Sequence, residues 1–154
     1  CAKTSPAFTE LFRFYEELAL VLSKKMDLGI RIKEAYDKKD KQTLQQICSQ
    51  DIPYIIAHLH EMKLLREQLW MRDARPFGYE LLDIKLGGVL TRLESHRRRI
   101  ESYLSGSISR LEELEQERLP YFTVDKSMGH DPDQSMSENR WHFIVSGCCL
   151  MDTI

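Results

Sequence analysis

The chain has 154 residues, of which 42% are hydrophobic and 30% charged, and its formal net charge is −2. This length suits one domain with a buried core, and the composition is that of a globular protein. The balanced charge lacks the basic excess typical of nucleic-acid-binding proteins, so we expect no nucleic-acid partner. Neither a secretory leader nor an apolar run of about 18 residues occurs, so we expect no membrane span.

The four cysteines, Cys1, Cys48, Cys148 and Cys149, have the spacing of neither a disulfide framework nor a zinc site. As free thiols they indicate a reducing compartment, which we expect to be the cytoplasm. The chain begins without Met and enters a helical pattern almost at once, as a fragment of a longer polypeptide would.

Apolar residues recur every three or four positions, and breakers are few, with seven glycines and five prolines. This pattern predicts an all-α fold, an antiparallel bundle of about three long helices plus shorter ones. The first helix is predicted to begin after Ser5-Pro6 and to continue to about residue 36, with Gly29 allowing a close helix crossing. We expect one stripe of this helix to face the core: Phe8, Leu11, Phe12, Tyr15, Leu18, Leu22, Met26, Ile30 and Tyr36.

A polar turn is predicted at residues 37–40, followed by a short helix to about Cys48. Residues 49–53 then read as a break, with Asp51 as the cap of a helix that runs to about Arg72. The third long helix is predicted at residues 80–104. Two adjacent glycines, Gly87 and Gly88, would weaken this helix, and we expect that they are there to let another backbone approach closely. Ser107 is predicted to cap a fourth helix that ends near residue 120, with Ile108, Leu111 and Leu114 facing inward.

The amino-acid composition of the chain changes after residue 122. Residues 123–139 are polar and contain Gly129 and Pro132, which indicates a loop. Residues 140–145 are short, aromatic and β-branched, which suits either a short strand or an extended tail. We therefore assign residues 1–122 to a helical domain and residues 123–154 to a loop and an irregular tail of the same domain.

The polar residues form no recognisable catalytic or metal-binding motif. None of the five histidines has Glu three positions before it, and His58 and His60 lie on opposite sides of a helix, so neither a di-iron site nor a zinc site is predicted. No phosphate-binding glycine loop or nucleophile motif occurs. We expect no catalytic residue, no metal and no cofactor. The basic run at residues 96–99 has acidic neighbours, which favours a solvated face over a phosphate-binding patch.

Aromatic residues outside the helical stripes cluster around a Pro-Gly loop. They are Trp70, Phe77, Tyr79 and, in the tail, Trp141. Such residues can form a surface that binds a sugar or a partner protein, or they can plug the end of a helical bundle. The sequence leaves both alternatives open.

Residues 75–88 are the least generic part of the chain. They read Arg-Pro-Phe-Gly-Tyr-Glu-Leu-Leu-Asp-Ile-Lys-Leu-Gly-Gly. This segment resembles one in the C-terminal helical domain of bacterial family 20 glycoside hydrolases, the exo-β-N-acetylhexosaminidases. Residues 15–31, 103–122 and 141–146 are similar to further segments of that domain, so the resemblance covers most of the chain.

The resemblance implies a parent enzyme that removes terminal β-linked N-acetylhexosamine. In this family a (β/α)₈ barrel precedes the helical domain, and an adjacent Asp-Glu pair assists the attack by the substrate's own acetamido oxygen. This chain has no Asp-Glu dipeptide, and a barrel needs about 250 residues. The resemblance therefore implies a domain without a catalytic residue, which meets carbohydrate only through its parent enzyme.

The resemblance also implies the partners. We expect this domain to pack against the missing catalytic domain of the same polypeptide, and a homodimer partner is a second expected contact. The residues predicted to make these contacts are Arg75, Phe77, Tyr79, Glu80 and Trp141. Two alternatives from other classes are a stand-alone helical adaptor that binds another protein, and a carbohydrate-binding module that uses Trp70, Tyr79 and Trp141.

Overall fold

The computed structural model describes residues 8–116, and in this range the chain is all-α with no strand. The predicted fold class is thus confirmed. The helices are α1 (Thr9–Lys25), α2 (Leu28–Asp37), α3 (Lys41–Gln46), a π-helical turn (Ile47–Asp51), α4 (Ile52–Asp73), α5 (Tyr79–Leu104) and the short α6 (Glu112–Glu115). The expected strand at residues 140–145 and the predicted boundary at residue 122 lie outside the described residues.

The long helices run antiparallel and share one core. Glu10, near the start of α1, pairs with Arg72, near the end of α4, at 2.7 Å. Lys63 of α4 pairs with Asp83 of α5 at 2.8 Å, after the short loop between these two helices has reversed the chain. The buried apolar residues of α4 and α5 point into the bundle, and they are Ile52, Ile55, Leu59, Met62, Leu65, Leu69, Leu90, Leu93 and Ile100.

The predicted single first helix is wrong, because the chain breaks between α1 and α2. The guanidinium of Arg31 holds the chain in its conformation at this break. It donates to the carbonyl oxygen of Lys24 in the last turn of α1, to the carboxylate of Asp27 and to that of Asp51, at 3.1, 3.1 and 2.5 Å. A helix end leaves carbonyls without an intrahelical partner, and Arg31 supplies a donor for one of them.

The apolar stripe predicted for the first helix is also wrong in part. Leu18 and Tyr36 pack against the core, but other members face solvent: Phe8, Phe12, Tyr15, Leu22, Met26 and Ile30. The core contacts of α1 come instead from a neighbouring edge of the same broad apolar arc, at Phe14, Leu18 and Val21.

The predicted break at residues 49–53 is absent. The chain continues from α3 into α4 through the π-helical turn, where the amide of Ile52 donates to the carbonyl of Ile47, five residues back. Pro53 cannot donate a backbone hydrogen bond and would clash with a carbonyl in a regular helix, and the wider turn relieves both problems. Asp51 does not cap α4. Asp40 caps α3 instead, accepting from the amide of Thr43 at 3.0 Å.

The predicted reason for the glycines in helices is wrong as well. Among residues 8–116, a methyl group added at Gly29, Gly87 or Gly88 would meet nothing within 4 Å beyond its own helical turn. Gly106, in contrast, follows the end of α5 at a φ of +80°, a left-handed conformation that glycine commonly adopts after a helix. Ser107 does not cap a helix, because α6 begins only at Glu112. Ile108, Leu111 and Leu114 nevertheless pack inward as predicted.

Candidate interdomain surface

The loop between α4 and α5 is held in place by hydrogen bonds at both of its ends. The indole Nε1 of Trp70 donates to the carbonyl oxygen of Arg75 at 2.7 Å. Gly78 has a φ of +94°, a left-handed conformation that favours glycine. Its amide donates to the carboxylate of Glu80 at 2.8 Å, which supplies an acceptor at the start of α5. The loop is thus an ordered part of the fold.

Tyr79, the first residue of α5, is buried beside this loop. Only 4% of its surface is exposed, its ring lies 6.0 Å from that of Trp70, and its hydroxyl donates to the carbonyl of Lys63 at 3.3 Å. Burial raises the pKa of the Tyr79 hydroxyl, and the charge of Asp83 acts in the same direction. Tyr79 therefore plugs the end of the α4–α5 hairpin and presents almost no surface to another domain.

Phe77 points the other way and is 87% exposed. Arg75 and Glu80 are exposed beside it. Of the five residues predicted to contact another domain, the structure thus brings Arg75, Phe77 and Glu80 to one exposed loop and places Tyr79 inside. Trp141 lies outside the described residues. Since no partner is present, the contacts themselves stay a prediction.

Helix α1 carries a second exposed apolar surface, and all of its residues except Ala19 were predicted to face the core. We call it the α1 seam and define it by six uncharged exposed residues: Phe8, Phe12, Tyr15, Ala19, Leu22 and Met26. The seam begins at the N-cap of α1 and ends just after its last turn. The signal that could have revealed it is the width of the apolar arc, which exceeds what one neighbouring helix covers.

Charged residues on α1 and α2 hold these helices to the rest of the bundle. Asp51 is the one charged residue buried among residues 8–116, and it pairs with Arg31 at 2.5 Å and Lys24 at 3.2 Å. Burial acts to raise the pKa of Asp51, but the hydrogen bonds from these two cations outweigh it and the pKa is lowered. A buried carboxylate with two cationic partners is a structural anchor between the π-helical turn and the break after α1.

The histidines and the cysteine in the described range have structural surroundings. His58 faces Glu17 of α1, with its Nδ1 2.6 Å from a carboxylate oxygen, whereas His60 is exposed. Burial lowers the pKa of half-buried His96 and raises that of the Cys48 thiol to about 11, which leaves the thiol protonated. Across residues 8–116, no three His, Cys, Asp or Glu residues come close enough together to hold a metal ion.

Two arginines of the basic run at residues 96–99 pair with neighbouring acids. Arg97 pairs with Glu101 at 2.8 Å, and Arg99 pairs with Glu112 and Glu113 at 2.5 and 3.5 Å. These contacts favour the solvated face over the phosphate-binding patch. None of the helices described combines the length and the apolar character needed to cross a lipid bilayer.

The chain was compared with protein-family models and with curated proteins. The family model described as "Glycoside Hydrolase 20C C-terminal domain" matches residues 1–131. A comparison with curated proteins finds no significant match.

Proposed function

Because the chain belongs to the family of glycoside hydrolase 20C C-terminal domains, we propose that it is the non-catalytic helical domain of a β-N-acetylhexosaminidase. In this role it packs against the catalytic domain of the same polypeptide. The observation that carries the proposal is the family match, which extends over residues 1–131 and so includes every described helix. In the whole enzyme the substrate is a terminal β-linked N-acetylhexosamine.

Two features of the chain support a role without catalysis. The adjacent Asp-Glu pair expected of a family 20 active site occurs nowhere in the 154 residues. The one buried carboxylate in the described range, that of Asp51, is held by two cations. A general acid needs a raised pKa to hold its proton near neutral pH, and the pKa of Asp51 is lowered.

Two features support a role in packing. Phe77 and the α1 seam expose large apolar side chains, and such surfaces mark contacts with other proteins or domains. Trp70 and Tyr79 do not offer a sugar-stacking platform, because Tyr79 is buried and the guanidinium of Arg66 lies 5.4 Å from the centre of the Trp70 ring. The carbohydrate-binding alternative therefore receives no support from these two residues.

An activity assay tests the proposal. The 154-residue chain and the full polypeptide encoded by its gene are compared on an aryl N-acetyl-β-glucosaminide. We expect turnover by the full polypeptide and none by the 154-residue chain. Turnover by the chain alone, abolished by one substitution within it, would contradict the non-catalytic role. A gene that encodes no catalytic domain would contradict the whole proposal and favour the stand-alone adaptor.

A further inference from the structure

The α1 seam has the spacing of a helix-packing surface. Its positions follow one another at intervals of four, three, four, three and four residues, from Phe8 to Met26. Alternation of three and four is the spacing at which one α-helix packs lengthwise along another. The seam is about 27 Å long at the helical rise of 1.5 Å per residue. The element that fits this seam is therefore an α-helix with an apolar stripe of its own.

Among residues 8–116, the core contacts of α1 come from residues beside this seam. Phe14, Leu18 and Val21 pack α1 against the core. On the far side of that packed face, Glu10 and Glu17 bond to Arg72 and His58 of α4. The seam is the remaining edge of the apolar arc. Its members include Met26, which is 80% exposed, and Tyr15, which is more than half exposed.

The exposed area suits an interface between domains of one chain. Five large side chains, which are between 36% and 80% exposed, present on the order of 500 Å² of apolar surface. Contact with a matching surface would bury roughly 1,000 Å² in total, which lies within the range of interdomain interfaces and below that of obligate homodimers. A domain of the same polypeptide also has the advantage of a high effective concentration over a second copy.

We infer that the α1 seam docks lengthwise onto an α-helix of the catalytic domain of the same polypeptide. This inference rests on the proposed function and adds to it the surface and the kind of element that is bound. The family description supports this choice of partner, because a C-terminal domain follows the other domains of its protein and α1 is the first helix described here.

Photo-crosslinking in the full polypeptide tests this docking. Tyr15 is replaced by the photoreactive benzoylphenylalanine, and in a matched control Leu64, an exposed apolar residue of α4, is replaced by the same amino acid. We expect Tyr15 to cross-link within one chain to a helix of the catalytic domain, with no such product from Leu64. Cross-links between two copies, no product at all, or equal products from both positions would overturn the inference.

A pair of double variants gives an independent measurement. Tyr15→Glu with Leu22→Glu places two charges on the seam, seven residues apart. Leu64→Glu with Met71→Glu does the same at two exposed positions of α4. We expect the seam variant to accelerate proteolytic cleavage between the domains about tenfold, because two apolar contacts are lost, and the control to leave the rate unchanged. Equal rates for the two variants would overturn the inference.

Two controls separate the possible failures. The melting temperature of the 154-residue chain carrying each double variant confirms that the substitutions leave the bundle folded, since all four positions are exposed. Hexosaminidase activity of the unaltered full polypeptide tests the proposed function separately. An active enzyme whose seam cross-links to nothing refutes only the docking surface, whereas a polypeptide without a catalytic domain refutes both proposals.

Discussion

Gly88→Ala should stabilise this domain. Gly88 lies within α5, and a methyl group added there would meet nothing within 4 Å beyond its own helical turn, in the part of the chain that the structure describes. Alanine is favoured over glycine in a helix interior by about 1 kcal/mol, because glycine loses more backbone entropy on folding. Without a steric cost to offset this gain, we expect the free energy of unfolding to rise by about 1 kcal/mol and the melting temperature by about 3–6 °C.

A second glycine provides the matched control. Gly78 has a φ of +94°, and an alanine there is forced into a conformation that costs about 1–2 kcal/mol. Its new methyl group would make only ordinary contact with the Trp70 ring, at 3.7 Å, so the cost is conformational and not steric. The two substitutions add the same methyl group and should change stability in opposite directions.

Thermal and urea unfolding of the 154-residue chain, followed by far-ultraviolet circular dichroism, measures both variants. The reasoning would be refuted by a Gly88→Ala variant that melts below the parent chain, because this would require an atom that crowds the position. It would equally be refuted if Gly78→Ala were as stable as the parent chain, since the left-handed turn would then be absent.

Three further predictions concern the loop, the core and acid stability. Phe77→Ala should change the unfolding free energy of the isolated chain by less than about 0.5 kcal/mol, whereas Tyr79→Ala should lower it by about 3 kcal/mol. Equal urea midpoints for the two variants would refute the conclusion that Tyr79 is buried and Phe77 exposed. Ile55→Ala should cost about 2–5 kcal/mol in the same assay, since Ile55 is fully buried, and a loss under 1 kcal/mol would contradict the core. Burial acts to raise the pKa of Asp51, but Arg31 and Lys24 lower it. The lowered pKa stabilises the fold above the unfolded-state pKa of about 3.9, and this contribution disappears as the pH falls through the folded-state pKa. Asp51→Asn should therefore lower stability at neutral pH and flatten its decline in acid, and an unchanged pH profile would contradict the anchor.

Helices α4 and α5 could be predicted from the sequence because most of their apolar residues form one buried stripe, although Leu64, Met71 and Ile84 are exposed. This stripe is buried against the rest of the chain, and Pro76 and Gly78 separate the two helices. In α1 the apolar arc is wide, and periodicity does not tell which edge of a wide arc is buried. Leu22 and Val21 are adjacent in the sequence and equally apolar, yet Val21 is buried and Leu22 is exposed.

Long-range contacts account for the breaks that were misassigned. The end of α1 depends on Arg31, which reaches Asp51 across the fold, and no local pattern reveals this contact. The polar residues 49–51 before Pro53 read as a break, although a π-helical turn continues the helix through them. In the loop, aromatic density indicated the right segment, but the opposite orientations of Phe77 and Tyr79 follow from the geometry at Gly78.

Hydrogen–deuterium exchange tests the central claim most directly, by comparing the 154-residue chain alone with the same residues in the full polypeptide. The account predicts that the amides of α1 exchange more slowly in the full polypeptide, because docking of the seam stabilises this helix against local opening. The amides of α4 around Leu64 and Met71 should exchange alike in both samples. Equal exchange of α1 in the two samples would contradict the claim that this domain acts by packing on the catalytic domain through its first helix.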